Sequence, residues 1–149
     1  LGNHFAVLRD AFTAAYERRD VLAMRTRKAE MMALLDDLDK LLACHPTFSL
    51  SRWIEARAPS ACPEPRATIT NEMPAISSTT WGDRDQSLND YANRTWAGLV
   101  ATYYKPRWEL FCDVVLEAVE SDEPFDEAAF TERCKDFEWA WVNSTDKTA

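Results

Sequence analysis

Apolar residues recur at three- and four-residue spacing through most of the chain. Over residues 3–19, Phe5, Leu8, Phe12, Ala15 and Tyr16 fall on one side of a helix. Asn3 is placed to cap it, because its side chain can accept from the free amides of a first turn. Asp20 is a cap of the same kind for a second helix over residues 21–44, striped by Met24, Met31, Leu34, Leu35, Leu38, Leu41 and Leu42. The stripe lapses at Arg27 and Lys28, which predicts early turns facing water. His45-Pro46 ends the helix, since a residue before proline is pushed out of the helical region. A short third helix is predicted over residues 50–58, with Trp53 and Ile54 inward.

Residues 59–80 break the pattern. Four of the seven prolines are here (Pro59, Pro63, Pro65 and Pro74), Ser and Thr fill much of the rest, and no period emerges. A connection above roughly 15 residues is uncommon and is usually functional or mobile. Periodicity returns with Leu88, Tyr91, Ala92, Thr95, Leu99 and Tyr103, which predict a fourth helix with Trp96 inside it. Pro106 interrupts or kinks it by removing one hydrogen bond. The stripe resumes at Trp108, Phe111, Cys112, Val115, Leu116 and Val119. Residues 121–125 are a break, and Phe130, Cys134, Phe137 and Trp141 mark a final helix. No segment sustains period-two alternation and no internal repeat is visible. The fold class is therefore all-α: a bundle of five or six helices with one long irregular connection, as a single helical domain over residues 1–149.

Composition narrows the function. Seventeen bases against 25 acids give a net charge of −8, which argues against a general nucleic-acid binder. No run approaches the roughly 18 apolar residues of a membrane span. Three glycines are too few for a phosphate-cradling loop, and two isolated histidines, His4 and His45, exclude a His-rich metal site. No metal and no cofactor is expected. The cysteines Cys44, Cys62, Cys112 and Cys134 form no Cys-x-x-Cys pair; they are read as buried free thiols or as one or two disulfides. Leu1 in place of Met, with no visible signal peptide, suits a mature product or a piece of something longer. Charge is uneven: residues 109–138 hold eleven acids against two bases, whereas residues 1–30 hold six bases against four acids. Either the acidic half docks a basic partner, or these are the solvated faces of two helices.

Acids among aromatics are the better candidates for acid–base chemistry, namely Asp90 before Tyr91 and Glu109 after Trp108. Cys44-His45 makes no catalytic pair, because adjacent side chains on a helix do not face each other. Trp81 precedes Gly82 at a turn, where its ring can stay exposed. With Asp90 and Tyr91 it offers a surface on which a sugar ring could stack and hydrogen-bond. The alternative is that Trp81 and Tyr91 plug the bundle and Asp90 caps a helix.

The stretch from Thr80 to Phe111 carries a more specific signal. Trp81-Gly82, Leu88, Asp90-Tyr91-Ala92, Gly98-Leu99, Tyr103-Tyr104, Pro106-Arg107-Trp108 and Phe111 resemble the C-terminal helical domain of α-N-acetylglucosaminidases, glycoside hydrolase family 89. A second block, Asp37-Leu38-Asp39, Leu41-Leu42, Phe48, Trp53 and Ala56-Arg57, matches in the same order. The chain departs from the pattern at Ser51, where the family has Gly, and over residues 71–78, where Pro74 replaces a helical lead-in.

The resemblance implies an accessory domain. In the family, an upstream (β/α) barrel carries two catalytic glutamates of a retaining mechanism, and the helical domain packs on it and helps wall the pocket. A chain of 149 residues cannot hold such a barrel, so no catalytic residue is expected here. In such a domain Trp81, Asp90 and Tyr91 are the candidate pocket wall, and Trp96, Arg107 and Trp108 are read as structural or domain-interface residues, Arg107 because it follows the Pro106 kink, where its five donors can satisfy freed carbonyls or a buried acid. The resemblance implies the barrel of the same polypeptide and a terminal N-acetylglucosamine as partners, and a secreted or lysosomal location. The competing reading is a helical interaction module that kept the fold without the catalysis. An exposed aromatic face would favour the first reading, and a polar one the second. Finally, Asn93-Arg94-Thr95 and Asn143-Ser144-Thr145 are acceptor triplets for N-linked sugar. Asn93 lies within the matched motif on a helix expected to pack, and Asn143 near the polar tail, so sugar is expected on Asn143 alone.

Overall fold

The computed structural model describes residues 2–56, 84–85 and 94–144. The side chains of residues 54–56 fall outside that description, as does the predicted connection over residues 59–80. The described residues are helical, with one isolated bridge between Ser49 and Ala97. In chain order they form α1 (Gly2–Glu17), α2 (Val21–Ala43), a 3-10 turn (Pro46–Phe48), α3 (Leu50–Ala56), a π-helical turn (Val100–Tyr104), α4 (Lys105–Glu120) and α5 (Glu127–Asn143).

Helix α1 begins one residue earlier than expected, so Asn3 lies within its first turn rather than capping it. Asp20 does cap α2, accepting from the amide of Ala23 at 3.0 Å. Asp126 caps α5 in the same way through Ala129. His45 adopts an extended conformation ahead of Pro46, as the residue before a proline must, and α2 stops there.

Two clusters make the core. The larger joins α1, α2 and α4 through Leu8, Phe12, Met24, Met31, Leu35, Cys112, Val115 and Val119, all buried. Burying each large side chain of this kind contributes about 1.5–3 kcal/mol. The smaller unites Leu50, Leu99, Tyr103, Trp141 and Val142, tying α3 and α5 to the start of the fourth helical stretch. Phe111, Phe125 and Phe130 close the turn between α4 and α5, with ring centroids 5.6–6.1 Å apart.

The proline expected to break the fourth helix is accommodated by a change of register. Pro106 offers no N–H to the carbonyl four residues back. The chain widens into the π-helical turn just before it, where the Lys105 amide bonds to the Val100 carbonyl, and Pro106 falls in the first turn of α4.

Five further residues depart from the sequence expectation, among them Tyr16 of the α1 stripe, which is 37% exposed. Trp96 is not helical: residues 94–96 are irregular and the helix starts only after Gly98. Ala97 instead donates to the Phe48 carbonyl at 2.7 Å and accepts from the Leu50 amide at 3.0 Å, and that long-range pairing displaces local helical bonds. Trp53, expected inward, is 44% exposed, and Leu41, placed in the α2 stripe, is 58% exposed. Lys28 is not a solvated residue of an early turn. Its side chain is only 19% exposed and its ammonium sits 2.5 Å from Asp113 and 3.8 Å from Glu109 on α4.

Candidate functional site

Residues 94–98, the strip that leads into the fourth helical stretch, are anchored from several elements at once. A helix start leaves amides without partners, and no side chain next to this one supplies an acceptor. The acceptor comes from α2. Asp39 Oδ1 accepts from the amides of Gly98 at 2.8 Å and Ala101 at 3.0 Å, a cap delivered from 59 residues away in sequence. Gly98 has φ 85°, a left-handed conformation that a side chain would resist, and this turns the chain into the helix. Thr102 then donates to the Gly98 carbonyl and accepts from the indole of Trp141 at 3.0 Å, which ties the same point to α5.

On the outer side of this strip, Trp96 stacks on Trp53, with ring centroids 5.4 Å apart and planes 10° from parallel. The Arg94 guanidinium lies 5.0 Å from the Trp96 ring centroid. The Trp53 indole N–H donates to the Thr47 carbonyl at 3.0 Å, fixing the ring while leaving it accessible. Phe48, 46% exposed, is close by in sequence and packs its ring against His45. Leu41, Phe48 and Trp53 thus expose large apolar groups along one short run between the end of α2 and α3.

Trp81, Asp90 and Tyr91 lie outside the described residues, as do Asn93 and Cys62. Arg84, which follows the Trp81-Gly82-Asp83 sequence, binds α5: its guanidinium is 2.8 Å from Glu132 and 2.8 Å from Asp136. Those hydrogen bonds hold Arg84 above its ordinary pKa, and Lys135, then Arg84, hold the Glu132 carboxyl below its own. Trp96 is half-buried beside the smaller core cluster. Trp108 packs edge-on against Phe5 and Phe111, at 5.0 and 5.9 Å. Arg107 Nε lies 2.9 Å from Glu138 Oε1, and Glu138 is 2% exposed. The same guanidinium covers the Tyr103 ring at 5.3 Å. Glu109, weighed as an acid or base, is exposed and faces Lys28.

An apolar groove of about 200 Å³ opens between α1, α2 and the fourth stretch, lined by Phe5, Leu34, Leu38, Thr95, Tyr104 and Trp108 among others. Cys44, Cys112 and Cys134 are free thiols, exposed, buried and half-buried in that order. The acidic half of the chain is partly neutralised from within. Arg19, Arg25 and Lys28 pair with Asp122, Glu120 and Asp113, and Lys105 pairs with Asp36. The asymmetry of charge between the two ends is therefore in part a match between helices.

Asp39 and the Trp53–Trp96 stack are the features that sequence reasoning missed. The first left no local signal, because the helical period runs from Leu88 to Tyr103 straight through Gly98 and hides the helix start that needs the acceptor. The signal for the second was Trp53 in a short helix, next to Arg52 and Glu55.

Comparison with known proteins fits this architecture. The sequence model described as "Alpha-N-acetylglucosaminidase (NAGLU) C-terminal domain" matches residues 1–149. Alpha-N-acetylglucosaminidase of Homo sapiens is 37% identical over 111 residues, covering 74% of this chain and 15% of the human protein. A family 89 glycoside hydrolase from Clostridium perfringens, solved in complex with its substrate GlcNAc-alpha-1,4-galactose, superposes with a TM-score of 0.82 at 23% identity, over 97% of this chain and 17% of that one. The same enzyme in complex with PUGNAc superposes equally well. At that identity the likeness is one of fold, and the chain spans about a sixth of the length of these relatives. With all of residues 1–149 matched, the chain belongs to the family of alpha-N-acetylglucosaminidase C-terminal domains of glycoside hydrolase family 89.

Proposed function

We propose that this domain packs against the catalytic domain of its own polypeptide and helps wall a pocket for terminal α-linked N-acetylglucosamine. The observation that carries the reading is the exposure of Phe48 and Trp53, with Leu41 exposed nearby in sequence: the Trp53 indole is held on the Thr47 carbonyl beside Phe48 and its ring is braced by Trp96. Leaving such side chains in water forgoes about 1.5–3 kcal/mol each relative to burial, and contiguous exposed aromatics mark contact surfaces. The occupant is the remainder of the polypeptide, because relatives of this chain are some six times longer. The substrate class comes from those relatives, one of them solved with GlcNAc-alpha-1,4-galactose.

The strip 94–98 would then serve as the fixed end of the pocket-wall segment. It follows Asp90 and Tyr91 directly in sequence and is held by Asp39, Ser49 and Trp53. In this reading Trp81 stacks on the sugar ring, while Asp90 and Tyr91 hydrogen-bond its hydroxyls.

The experiment places Trp81→Ala and Tyr91→Phe in the full-length enzyme. The pocket reading requires a raised KM or lowered kcat with thermal stability nearly unchanged. Loss of stability with activity per folded molecule intact would make these residues core instead. Trp53→Glu and Phe48→Glu test the docking face: both should loosen the domain from the catalytic domain in limited proteolysis. The isolated chain should be helical by circular dichroism and inactive on an aryl α-N-acetylglucosaminide, and turnover by the purified chain would overturn the accessory role.

A further inference from the structure

We propose that Asn143 is an acceptor for N-linked glycan. The triplet Asn143-Ser144-Thr145 supplies the amide and the hydroxyl two residues on that such an acceptor requires. Triplets of this kind are common by chance, and the structure adds three observations.

Asn143 is the last residue of α5 and is exposed, while Trp141 and Val142 beside it are buried. The side chain therefore leaves the body of the domain at a fixed point. Ser144 is extended, with φ −71° and ψ 145°. The chain abandons the helix at Ser144, immediately after the acceptor, so the helix does not continue past the amide. Third, Asn143 Nδ2 donates to the Trp139 carbonyl of its own helix at 2.7 Å. The amide nitrogen has two hydrogens and glycosylation consumes one, so the remaining N–H can keep that bond and the fold is undisturbed.

The chemistry balances without a redox partner. The amide nitrogen of Asn143 attacks C1 of a lipid-pyrophosphate-linked oligosaccharide. The new C1–N bond forms as the C1–O bond to the pyrophosphate breaks. The lipid pyrophosphate leaves with the bonding electrons, and the amide proton passes to a base of the transferase. A glycan here would also leave the end of α5 facing solvent in the whole protein, so the catalytic domain would have to lie clear of it.

The test is expression of the natural full-length polypeptide through a eukaryotic secretory pathway, followed by peptide mapping after enzymatic deglycosylation. Asn143 should be occupied, and the corresponding mobility shift should vanish in both Asn143→Gln and Thr145→Ala. The second variant leaves the acceptor amide and its bond to Trp139 in place, so it separates loss of sugar from loss of folding. A secreted, folded product with Asn143 unmodified would overturn the proposal, as would a shift that persists in Thr145→Ala. Sugar found on Asn93 alone would overturn it too.

Discussion

Arg19 and Asp122 are the two non-glycine residues with left-handed backbone among those described, at φ 54° and 60°, and they bind each other. Each follows the end of a helix. Arg19 closes α1, with the Asp20 amide reaching back to the Ala15 carbonyl and its own amide to Tyr16. Asp122 closes α4, with the Glu123 amide reaching Ala118 and its own reaching Val119. These are two Schellman ends facing each other. Arg19 also donates to the Val119 carbonyl at 3.2 Å, so it caps the second helix while terminating the first. The contact spans 103 residues of sequence and fastens the α1–α2 turn to the far end of α4.

The two partners should respond differently to substitution. A left-handed conformation costs a side-chain-bearing residue about 1–2 kcal/mol, less for Asp, and glycine escapes it. Asp122 is 89% exposed, so its ion pair is worth about 0–1 kcal/mol. Asp122→Gly should therefore be neutral or stabilising by about 0.5–1 kcal/mol. Arg19→Ala keeps the strain and loses the Val119 bond, and should destabilise by about 1 kcal/mol. Urea unfolding midpoints check both. A clear loss of stability in Asp122→Gly would mean that the ion pair outweighs the backbone.

Arg107 should not be replaceable by lysine. Its partner Glu138 is 2% exposed, and the flat guanidinium also covers the Tyr103 ring. An ammonium can meet the carboxylate, but it offers neither the fork of donors nor the planar face. Arg107→Lys should cost about 1–3 kcal/mol, and Arg107→Ala about 3–5 kcal/mol because it takes the guanidinium away from a buried carboxylate. An unchanged urea midpoint in the lysine variant would count against the role of the planar group.

These contacts also separate what the chain makes legible from what it hides. Local rules reach far: Asp20 is readable as a cap, His45-Pro46 as a stop, and the stripes of α1, α4 and α5 as inward faces, apart from Tyr16, which is 37% exposed. Distant partners defeat them. Trp96 sits in a helical period, yet Ala97 bonds across to Phe48 and Leu50, and no neighbour in sequence announces that. Lys28 looks solvated because its stripe lapses, and only α4 supplies the acids that cover it. Leu41 keeps the helical period but falls outside the packed face, while Leu38 and Leu42 on either side of it reach the core. Trp81, Asp90 and Tyr91 are grouped by the turn at Gly82 and by the chemistry of a ring beside a carboxylate and a phenol, and that reading leaves a pocket wall and a plug equally possible.

Asp39 should be sensitive to loss of its oxygen and tolerant of loss of its charge. Its Oδ1 accepts from two amides at a helix start, where an acceptor is worth about 0.5–2 kcal/mol. Asp39→Ala should cost that much. Asp39→Asn keeps a carbonyl oxygen in place and should lose only the charge contribution, about 0.3–1 kcal/mol. Thermal melts of the two variants side by side decide it. Equal losses would show that the negative charge, not the hydrogen bonds, fixes the start of the helix.

Cys112 and Cys44 should part company under alkylation. Cys112 is buried within the larger core cluster, and desolvation pushes its thiol up to about 12 from an ordinary 9.0. Lys28 pulls the other way but does not offset burial, and Asp113 and Glu109 add to the rise. The reactive species is the thiolate, so iodoacetamide at neutral pH should label exposed Cys44 and spare Cys112 until the chain unfolds. The same shift sets a pH dependence. Between about 9 and 12 the folded state retains a proton that the unfolded thiol releases. The contribution to stability is complete below the lower value and is lost as pH rises through the upper one. Unfolding free energy should thus fall on the alkaline side, and Cys112→Ala should flatten that limb relative to the parent protein. Rapid labelling of Cys112 in the native state, or an alkaline limb identical in the variant, would show that water reaches the thiol and that the core between α1, α2 and α4 is looser than its packing indicates.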